Sequence, residues 1–490
     1  MHMNRLNRTD ISQIYHEGEE AVIALVESLQ NALALLEARV AVLEGQIKKT
    51  SKTSSKPPSS DGLRRTLSSR EPSGKKPGGQ DKHEGQTLER RAVPDAVIVH
   101  RAPLECASCQ SSLETTAAEI TETRQVFDVP KVQVQVTEHR VEQKICPCCQ
   151  ARAKASFPVG VNAPVQYGSR VSSLAVYLNV YHLVPRERTV EILEELCGVH
   201  LSNGSIENIL ARAYQLTEST ENAIEAALIA SDGIHADETG ARVNGKTHWI
   251  HVAANDRLTH YHPSLYRGKE AHAETGILER FAASGGVLHT DFYVSYRSYD
   301  CLHAYCNAHL LRELRFLAEV RKHDWAQEIR EILRQSLHTL KEHRQGSNNH
   351  QAVLSKEQLH ELHHRYDTLV EAALRLHPRT TEREHGITKG RIKQTEERRL
   401  LERLRDYKAD ILRFAENPCA NFDNNLAERD IRMIKVQQKI SGCFRSMNGA
   451  EVFCRLRGFC STVRKHSAAI LDALFDIFHG KDFQLNFEDT

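Results

Sequence analysis

Three acidic residues are the side chains in this 490-residue sequence that are best suited to hold a metal ion. Asp237 and Asp291 each end a predicted strand, and carboxylates at the ends of adjacent strands converge and can hold a divalent cation. Glu428 would supply a third carboxylate from a predicted helix that begins near Asn424. Strand-end aspartates also act as caps and turn formers, and their spacing leaves that interpretation open. Three other acids compete for these roles: Asp232, Glu238 and Asp300.

The helix that carries Glu428 is rich in basic residues, namely Arg429, Arg432, Lys435, Lys439 and Arg445. These cations predict a surface that binds phosphate groups beside a metal-binding acid. An ion-paired, solvated helix face would explain the same pattern.

Two closely spaced cysteine pairs predict a structural zinc site, Cys106 with Cys109 and Cys146 with Cys149. Four thiolates in two knuckles supply the tetrahedral coordination that Zn²⁺ prefers, and a β-rich segment between them suits an elongated zinc ribbon. Cys148 lies inside the second knuckle and could substitute for a neighbour. The alternative is a set of four unrelated buried thiols.

A further pair, Cys306 and His309, has the spacing of a metal half-site but lacks an evident second half. We expect a structural role for it near the start of a helix, and metal binding there is left open. The twelve cysteines are expected to stay reduced, because the chain carries no export signal and the cytosol keeps thiols reduced.

An N-terminal heptad run predicts a coiled coil over residues 1–47. Its a positions are Val26, Leu33, Val40 and Ile47, and its d positions are Leu29, Leu36 and Leu43. Mostly β-branched residues at a with Leu at d favour a parallel dimer. An amphipathic helix packed on its own globule is the alternative.

Residues 48–96 are predicted to form a basic flexible tether, because Ser, Pro, Gly and Lys dominate the composition up to Gly85. From Lys48 to Gly85 ten basic residues stand against four acidic ones, which favours contact with phosphate. A merely solvated linker is equally compatible with this composition.

The rest of the sequence predicts an α/β multidomain protein. Alternation at Val132, Val134 and Val136 indicates a strand within a zinc ribbon-like domain at 97–157. In the helical segment 158–226, a turn at Gly198 followed by Ser202 as N-cap fits a helix-turn-helix, although most such pairs are core helices.

The acids need a sheet to position them, and the sequence predicts one at 227–321. Asn244 and Gly245 predict a hairpin turn, and a helix is predicted over 268–283. A highly charged helical segment follows at 322–420, and 421–490 would contain the catalytic helix and C-terminal helices.

The overall composition excludes several classes of protein. No apolar run approaches the roughly 18 residues of a membrane helix, and the start lacks the apolar region of a signal peptide. A transmembrane, secreted or wholly disordered protein is therefore not expected, and a cytoplasmic location is. The net charge of +1 hides two basic segments, the tether and residues 421–470, so near-neutrality does not exclude DNA.

In this order, the motifs resemble those of transposases of the insertion sequence sixty-six family, in the DDE superfamily, over some 400 residues. Besides the zinc knuckles, the resemblance is carried by Ser-Ser-Lys-Pro-Pro-Ser-Ser-Asp at 54–61, Lys-Pro-Gly-Gly-Gln at 76–80, Asp-Glu-Thr at 237–239, His-Thr-Asp-Phe at 289–292, Cys-Asn-Ala-His-Leu-Leu-Arg-Glu-Leu at 306–314, Asn-Asn-Leu-Ala-Glu-Arg at 424–429 and Ser-Gly-Cys-Phe-Arg-Ser at 441–446. One departure lies at 79–85, where the family usually has a Gly-His pair after the Gln.

The resemblance implies a DNA transposase of a bacterial mobile element, with an RNase H-like catalytic core and a helical insertion between Asp291 and Glu428. By it, Asp237, Asp291 and Glu428 are the acidic triad that binds Mg²⁺ or Mn²⁺ for DNA cleavage and strand transfer.

The implied partners are the terminal inverted repeats and target DNA, a second copy of the chain and small accessory proteins from the same element, in the cytoplasm near the nucleoid and not at a membrane. The alternatives are an RNase H-like nuclease without strand transfer and a non-catalytic, zinc-containing dimeric DNA-binding protein.

Overall fold

The computed structural model describes residues 8–47, 87–158, 160–346, 351–381 and 392–486. Of the tether predicted over 48–96, residues 48–86 lie outside the described residues. Residues 87–96 are exposed and form neither helix nor strand. Within these described ranges, no helix combines the length and the apolar character needed to cross a membrane.

Two helices open the described chain, α1 (Arg8–His16) and α2 (Glu19–Ile47). The heptad run lies within α2 as one continuous helix. Its described seam side chains are 43–59% exposed: Val26, Leu29, Leu33, Leu36 and Val40. This exposure does not fit a helix packed on its own globule, and pairing with a second helix stays a prediction.

The cysteine-rich segment contains little regular structure. Its two strands, β1 (Gln143–Ile145) and β2 (Arg152–Lys154), form a short antiparallel hairpin. The strand predicted at Val132, Val134 and Val136 is wrong, because these residues belong to no strand and are 50–88% exposed. Alternation predicts a strand only where a second layer buries one face, and no such burial occurs at these positions.

Four helices follow the cysteine-rich segment. They are α3 (Ser169–Val176, continuing into a π-helical turn, Tyr177–Tyr181), α4 (Arg186–Cys197), α5 (Asn203–Leu216) and α6 (Glu218–Ile229). The predicted turn and cap are confirmed, since Gly198 ends α4 at φ 68° and the Ser205 N–H donates to the Ser202 hydroxyl at the start of α5.

A mixed five-stranded sheet forms the centre of the molecule, with strands β3 (Gly233–Val243), β4 (Lys246–Ala254), β5 (Thr259–Ser264), β6 (Val287–Thr290) and β7 (Leu302–Tyr305). The spatial order is β5-β4-β3-β6-β7, antiparallel between β5, β4 and β3 and parallel between β3, β6 and β7. The predicted hairpin turn is confirmed, because Asn244 and Gly245 both have positive φ between β3 and β4.

Two boundaries in this region differ from the prediction. Asp237 does not end its strand, because β3 continues to Val243 in antiparallel pairing with β4. Only the pairing of β3 with β6 stops just before it, at His235. The helix predicted over 268–283 is two helices, α7 (Lys269–Thr275) and α8 (Ile277–Ser284), because Gly276 adopts a left-handed φ of 63° between them.

Between the last strand and the segment that carries Glu428, the described residues form five helices: α9 (Asn307–Glu319), α10 (Asp324–Gly346), α11 (Lys356–Leu376), α12 (Glu396–Asp406) and α13 (Lys408–Glu416). They share a hydrophobic core that includes Leu310, Leu333, Tyr366 and Leu401. The helical character predicted for this stretch is thus confirmed in the described residues.

The C-terminal helices are α14 (Asn425–Ser441), α15 (Met447–Lys465) and α16 (Ile470–Phe478). α14 packs on β3 and β4, and α15 packs on β5. Gly458 permits that close approach, since a Cβ there would lie 3.0 Å from the Thr259 carbonyl oxygen. The opposite face of the sheet is covered by α6 and α8, through a core that includes Ile234, Leu288 and Phe281.

Candidate active site

The parallel pairing of β3 with β6 brings Asp237 beside Asp291. The last two paired residues are His235 and His289. Asp237 lies two residues further along β3, and Asp291 lies directly after the end of β6. Because side chains alternate between the faces of a strand, Asp237 shares the face of His235. Two residues distant in sequence therefore both follow the last paired residues of the neighbouring strands β3 and β6.

The two histidines of that face are stacked and buried. Their ring centroids are 4.1 Å apart with an angle of 11° between the planes. Burial lowers the pKa of His235 to about 4 and that of His289 well below its usual value. Both rings are therefore neutral at pH 7.

The neutral rings bind the loop that begins α14. The Nδ1–H of His235 donates to the Asn424 side-chain oxygen at 2.8 Å, and its Nε2 accepts from the Asn421 amide group at 2.9 Å. The backbone N–H of Asn421 donates to Nε2 of His289 at 2.8 Å. The Asn424 amide also donates to the carbonyl oxygen of Ala236 at 2.8 Å.

These bonds bring Glu428 to the face of the sheet that carries the two aspartates. Glu428 lies four residues after Asn424, and its N–H donates to the Asn424 carbonyl at 3.1 Å. Residues four apart lie on one face of a helix. Since Asn424 contacts β3 at His235 and Ala236, the next turn of α14 carries Glu428 along the strand towards Asp237.

The charge of Asp237 is influenced by Asp291 and Glu428, although among the described residues these three carboxyl groups do not form a group with all ligand atoms within 4.8 Å of one another. Burial raises the pKa of the Asp237 carboxyl well above its usual value. The negative charges of Glu238, Asp291 and Glu428 raise it further. A divalent cation would relieve this repulsion, and an all-oxygen set of carboxylates fits Mg²⁺ or Mn²⁺.

The competing acids have other surroundings. Glu238 is 2% exposed, accepts a 2.6 Å hydrogen bond from the Tyr296 hydroxyl and pairs with Arg267 at 2.9 Å. Asp232 is exposed directly before β3 begins, outside the strand that carries Asp237. Asp300 is exposed in the bend before β7. The geometry therefore favours Asp237 and Asp291 over these three.

The basic residues after Glu428 lie on the outer side of α14 and just beyond it. Four of them are exposed and make no ion pair or hydrogen bond through their side chains to other described residues: Arg429, Arg432, Lys439 and Arg445. Lys435 differs, because its ammonium group donates to the Gly240 carbonyl of β3. The second acidic residue of α14, Asp430, forms an ion pair with Lys465 at 2.8 Å.

The two cysteine knuckles have matching backbone turns. The N–H groups of Cys106 and Cys146 donate to the carbonyls five residues later, at 3.0 and 2.8 Å. Gln110 and Gln150 follow with φ of 60° and 58°. Hydrogen bonding by Ser111 lowers the pKa of Cys109 to about 7, and the backbone N–H groups of Cys149 and Cys148 lower that of Cys146.

The donor set fits zinc, but the structure does not bring the knuckles together into one site. Among the described residues, a compact group of three possible metal ligands, with ligand atoms within 4.8 Å of one another, occurs away from the knuckles. That group is Cys306, His309 and Glu428. Cys306 is 1% exposed, and burial raises the pKa of its thiol to about 12.

The sequence analysis missed the histidines and asparagines that position Glu428. A signal was present, because a histidine stands two residues before each aspartate, in His-Ala-Asp at 235–237 and in His-Thr-Asp at 289–291. The partner of Cys306 and His309 was missed because Glu428 lies more than a hundred residues further along the chain.

Three parts of the chain match known families. Residues 103–150, which contain both cysteine pairs, match the zinc-finger binding domain of transposase IS66, and this match supports structural zinc. Residues 7–89 match a family of unknown function, DUF6444. A comparison with curated proteins gives no match.

Residues 164–452, which include the sheet, α9–α13 and α14, match the family model described as Transposase IS66 family. This match covers more than half of the chain, and the chain therefore belongs to the IS66 family of transposases.

Proposed function

We propose that this transposase binds the terminal inverted repeats of an insertion sequence and catalyses Mg²⁺-dependent cleavage and transfer of DNA strands. The observation that supports the proposal is that the β3–β6 pairing ends just before Asp237 and Asp291, while the negative charges of Asp291 and Glu428 raise the pKa of Asp237. The sheet would then be an RNase H-like core, and the helices between Asp291 and Glu428 an insertion in it.

The chemistry follows from what the three carboxylates can hold. Two Mg²⁺ (or Mn²⁺) ions bound there would activate a water or a 3′-hydroxyl and stabilise the leaving oxygen of an in-line displacement. Asp237 lies on β3, Asp291 directly follows β6 and Glu428 lies on α14, so these ordered elements would hold the carboxylates with little motion on binding. Neither a serine nor a tyrosine nucleophile is required by this mechanism.

The DNA-binding surface is proposed to lie along α14. Its exposed cations, Arg429, Arg432 and Lys439, recur at helical spacing beside Glu428, and Arg445 follows after the turn at Gly442. Free guanidinium and ammonium groups beside an acidic cluster would hold a phosphate backbone against it. The predicted helix-turn-helix of α4 and α5 and the basic tether would add contacts to the terminal repeats.

Two further elements would assemble the complex. The exposed heptad seam of α2 supports a coiled-coil dimer or higher oligomer, which would hold two element ends together. Zn²⁺ at Cys106, Cys109, Cys146 and Cys149 would order a segment that has few strands of its own. Accessory proteins encoded by the same element could join this assembly.

A joining assay tests the proposal. The full-length protein is incubated with Mg²⁺, a supercoiled plasmid and a duplex whose end is a terminal repeat with a free 3′-hydroxyl, taken from the DNA that flanks the gene. We expect covalent joining of the duplex to the plasmid. Hydrolysis without joining would favour a nuclease, and specific binding without either reaction would favour a non-catalytic DNA-binding protein.

A further inference from the structure

Cys306, His309 and Glu428 form a compact group of three possible metal ligands. The Cys306 Sγ and the His309 Nδ1 lie 3.8 and 3.6 Å from Oε1 of Glu428, and all three atoms are within 4.8 Å of one another. The side chains come from two elements, since Cys306 caps the start of α9, His309 lies in the first turn of α9, and Glu428 lies on α14.

The ligand types distinguish this group from the aspartates. Thiolate and imidazole are the ligands of Zn²⁺, whereas Mg²⁺ prefers oxygen ligands alone. Catalytic zinc sites commonly have three protein ligands and a water molecule in the fourth position. We infer that Cys306, His309 and Glu428 form a second zinc site, separate from the cysteine knuckles and sharing Glu428 with the acidic triad.

The surroundings are prepared for such an ion. Cys306 is buried at the end of β7, and its N–H donates to the Thr290 carbonyl at 2.9 Å, next to Asp291. The N–H of Asn424 donates to the Cys306 Sγ at 3.3 Å, and such a bond stabilises a thiolate. The His309 Nδ1 is buried and has no hydrogen-bond partner among the described residues, so it is available to a metal.

The two oxygens of Glu428 face different partners. Oε1 points towards the cysteine and histidine, and Oε2 lies 3.9 Å from a guanidinium nitrogen of Arg312. An ion bound by Cys306 and His309 would therefore take the oxygen that Arg312 does not face. The consequence, which rests on the proposed function, is that Zn²⁺ bound at this site takes Glu428 away from the catalytic metal ions and inhibits cleavage.

The binding test uses Co²⁺, which replaces Zn²⁺ and shows a charge-transfer band in the near ultraviolet when a thiolate binds it. Full-length protein with zinc-loaded knuckles is titrated with Co²⁺. We expect the band in the wild type and in Cys301→Ser, a cysteine outside the group, and its loss in Cys306→Ser. Thermal unfolding of both variants checks that they are folded. An unchanged band in folded Cys306→Ser would overturn the inference.

A second measurement separates this inference from the proposed function. Mg²⁺-dependent cleavage is measured with and without added Zn²⁺, and each variant is compared with its own zinc-free rate. We expect at least about tenfold inhibition in the wild type and in Cys301→Ser, and little in Cys306→Ser or His309→Gln, in line with the effect of losing one partner at a metal site. A Co²⁺ band without zinc inhibition would overturn the sharing of Glu428, whereas the absence of any cleavage would contradict the proposed function and leave the binding result standing.

Discussion

His235 and His289 stack on each other two residues before Asp237 and Asp291, and the two rings connect two neighbouring strands to the start of α14. Each ring uses Nδ1–H as a donor and Nε2 as an acceptor, so both must be neutral. Protonation of either Nε2 would remove the acceptor that holds Asn421. The position of Glu428 therefore depends on two uncharged imidazoles beneath it.

Acid should destabilise the protein through these histidines. The pKa of His235 falls from 6.5 to about 4 on folding, so the unfolded chain binds more protons between these values. Their contribution to stability is complete above pH 6.5 and is lost as the pH falls towards 4, by on the order of 1.4 kcal/mol per pKa unit and histidine. Chemical denaturation at several pH values measures the slope.

A variant pair tests the assignment of that slope. His289→Gln should show a weaker dependence of the unfolding free energy on pH than the wild type. His338→Gln, at a position where the side chain is 74% exposed, should match the wild type. An equal slope in all three proteins would show that the stacked pair does not control acid stability.

Asn424 should be required to place Glu428. In Asn424→Ala, the buried ring of His235 and the Ala236 carbonyl lose their partners, which costs about 1–3 kcal/mol. We expect cleavage to fall more than DNA binding, because the acid is misplaced while the exposed cations remain. Asn425→Ala, at the next and exposed position, is the control and should retain both activities.

The exposed cations of α14 should determine how DNA binding depends on salt. Each of the variants Arg429→Ala, Arg432→Ala, Lys439→Ala and Arg445→Ala should reduce the slope of log K against log salt by about 1, as loss of one phosphate contact does. Lys435→Ala should change it less, because the ammonium group is already bound to the Gly240 carbonyl. Lys481→Ala, at a cation paired with Asp476, is the control. Unchanged slopes in all four variants would place the DNA elsewhere.

The heptad seam should hold two chains together. Leu29→Asp combined with Leu36→Asp places two charges at d positions of the seam and should reduce the molar mass measured by light scattering to that of one chain. Asn31→Asp, at an exposed position outside the seam, should leave the mass unchanged. A double variant that keeps the wild-type mass would show that the oligomer, if present, forms through other contacts.

Local patterns predicted much of this fold, because the forces involved act over a few residues. The turn at Asn244 and Gly245 and the cap at Ser202 depend on the backbone preferences of those residues, and both are found. The strand at Val132, Val134 and Val136 failed because alternation does not reveal whether another layer covers the side chains. The same limit explains why Asp237 was wrongly predicted to end its strand. The local sequence of β3 does not show where its pairing with β6 stops.

Of the candidate site, the sequence pointed to the acids and not to the residues that position them. Asp237 and Asp291 follow apolar runs that any reading of hydropathy finds, and Glu428 stands out among cations. The contacts that position Glu428 join residues nearly two hundred positions apart, as between His235 and Asn424. Such pairs are created by packing of α14 on the sheet, which periodicity within a single element does not describe.

The most direct test of the acidic triad is Mg²⁺-dependent cleavage at a terminal repeat by Asp237→Asn, Asp291→Asn and Glu428→Gln. Asp232→Asn is the matched control, because Asp232 is an exposed aspartate directly before β3 and lies outside the triad. We predict that each triad variant loses more than about a hundredfold in rate, since even outer partners of a bound metal cost 10–100-fold, while DNA binding and the control remain intact. Full Mg²⁺-dependent cleavage in any of the three variants would contradict the assignment of that residue to the triad.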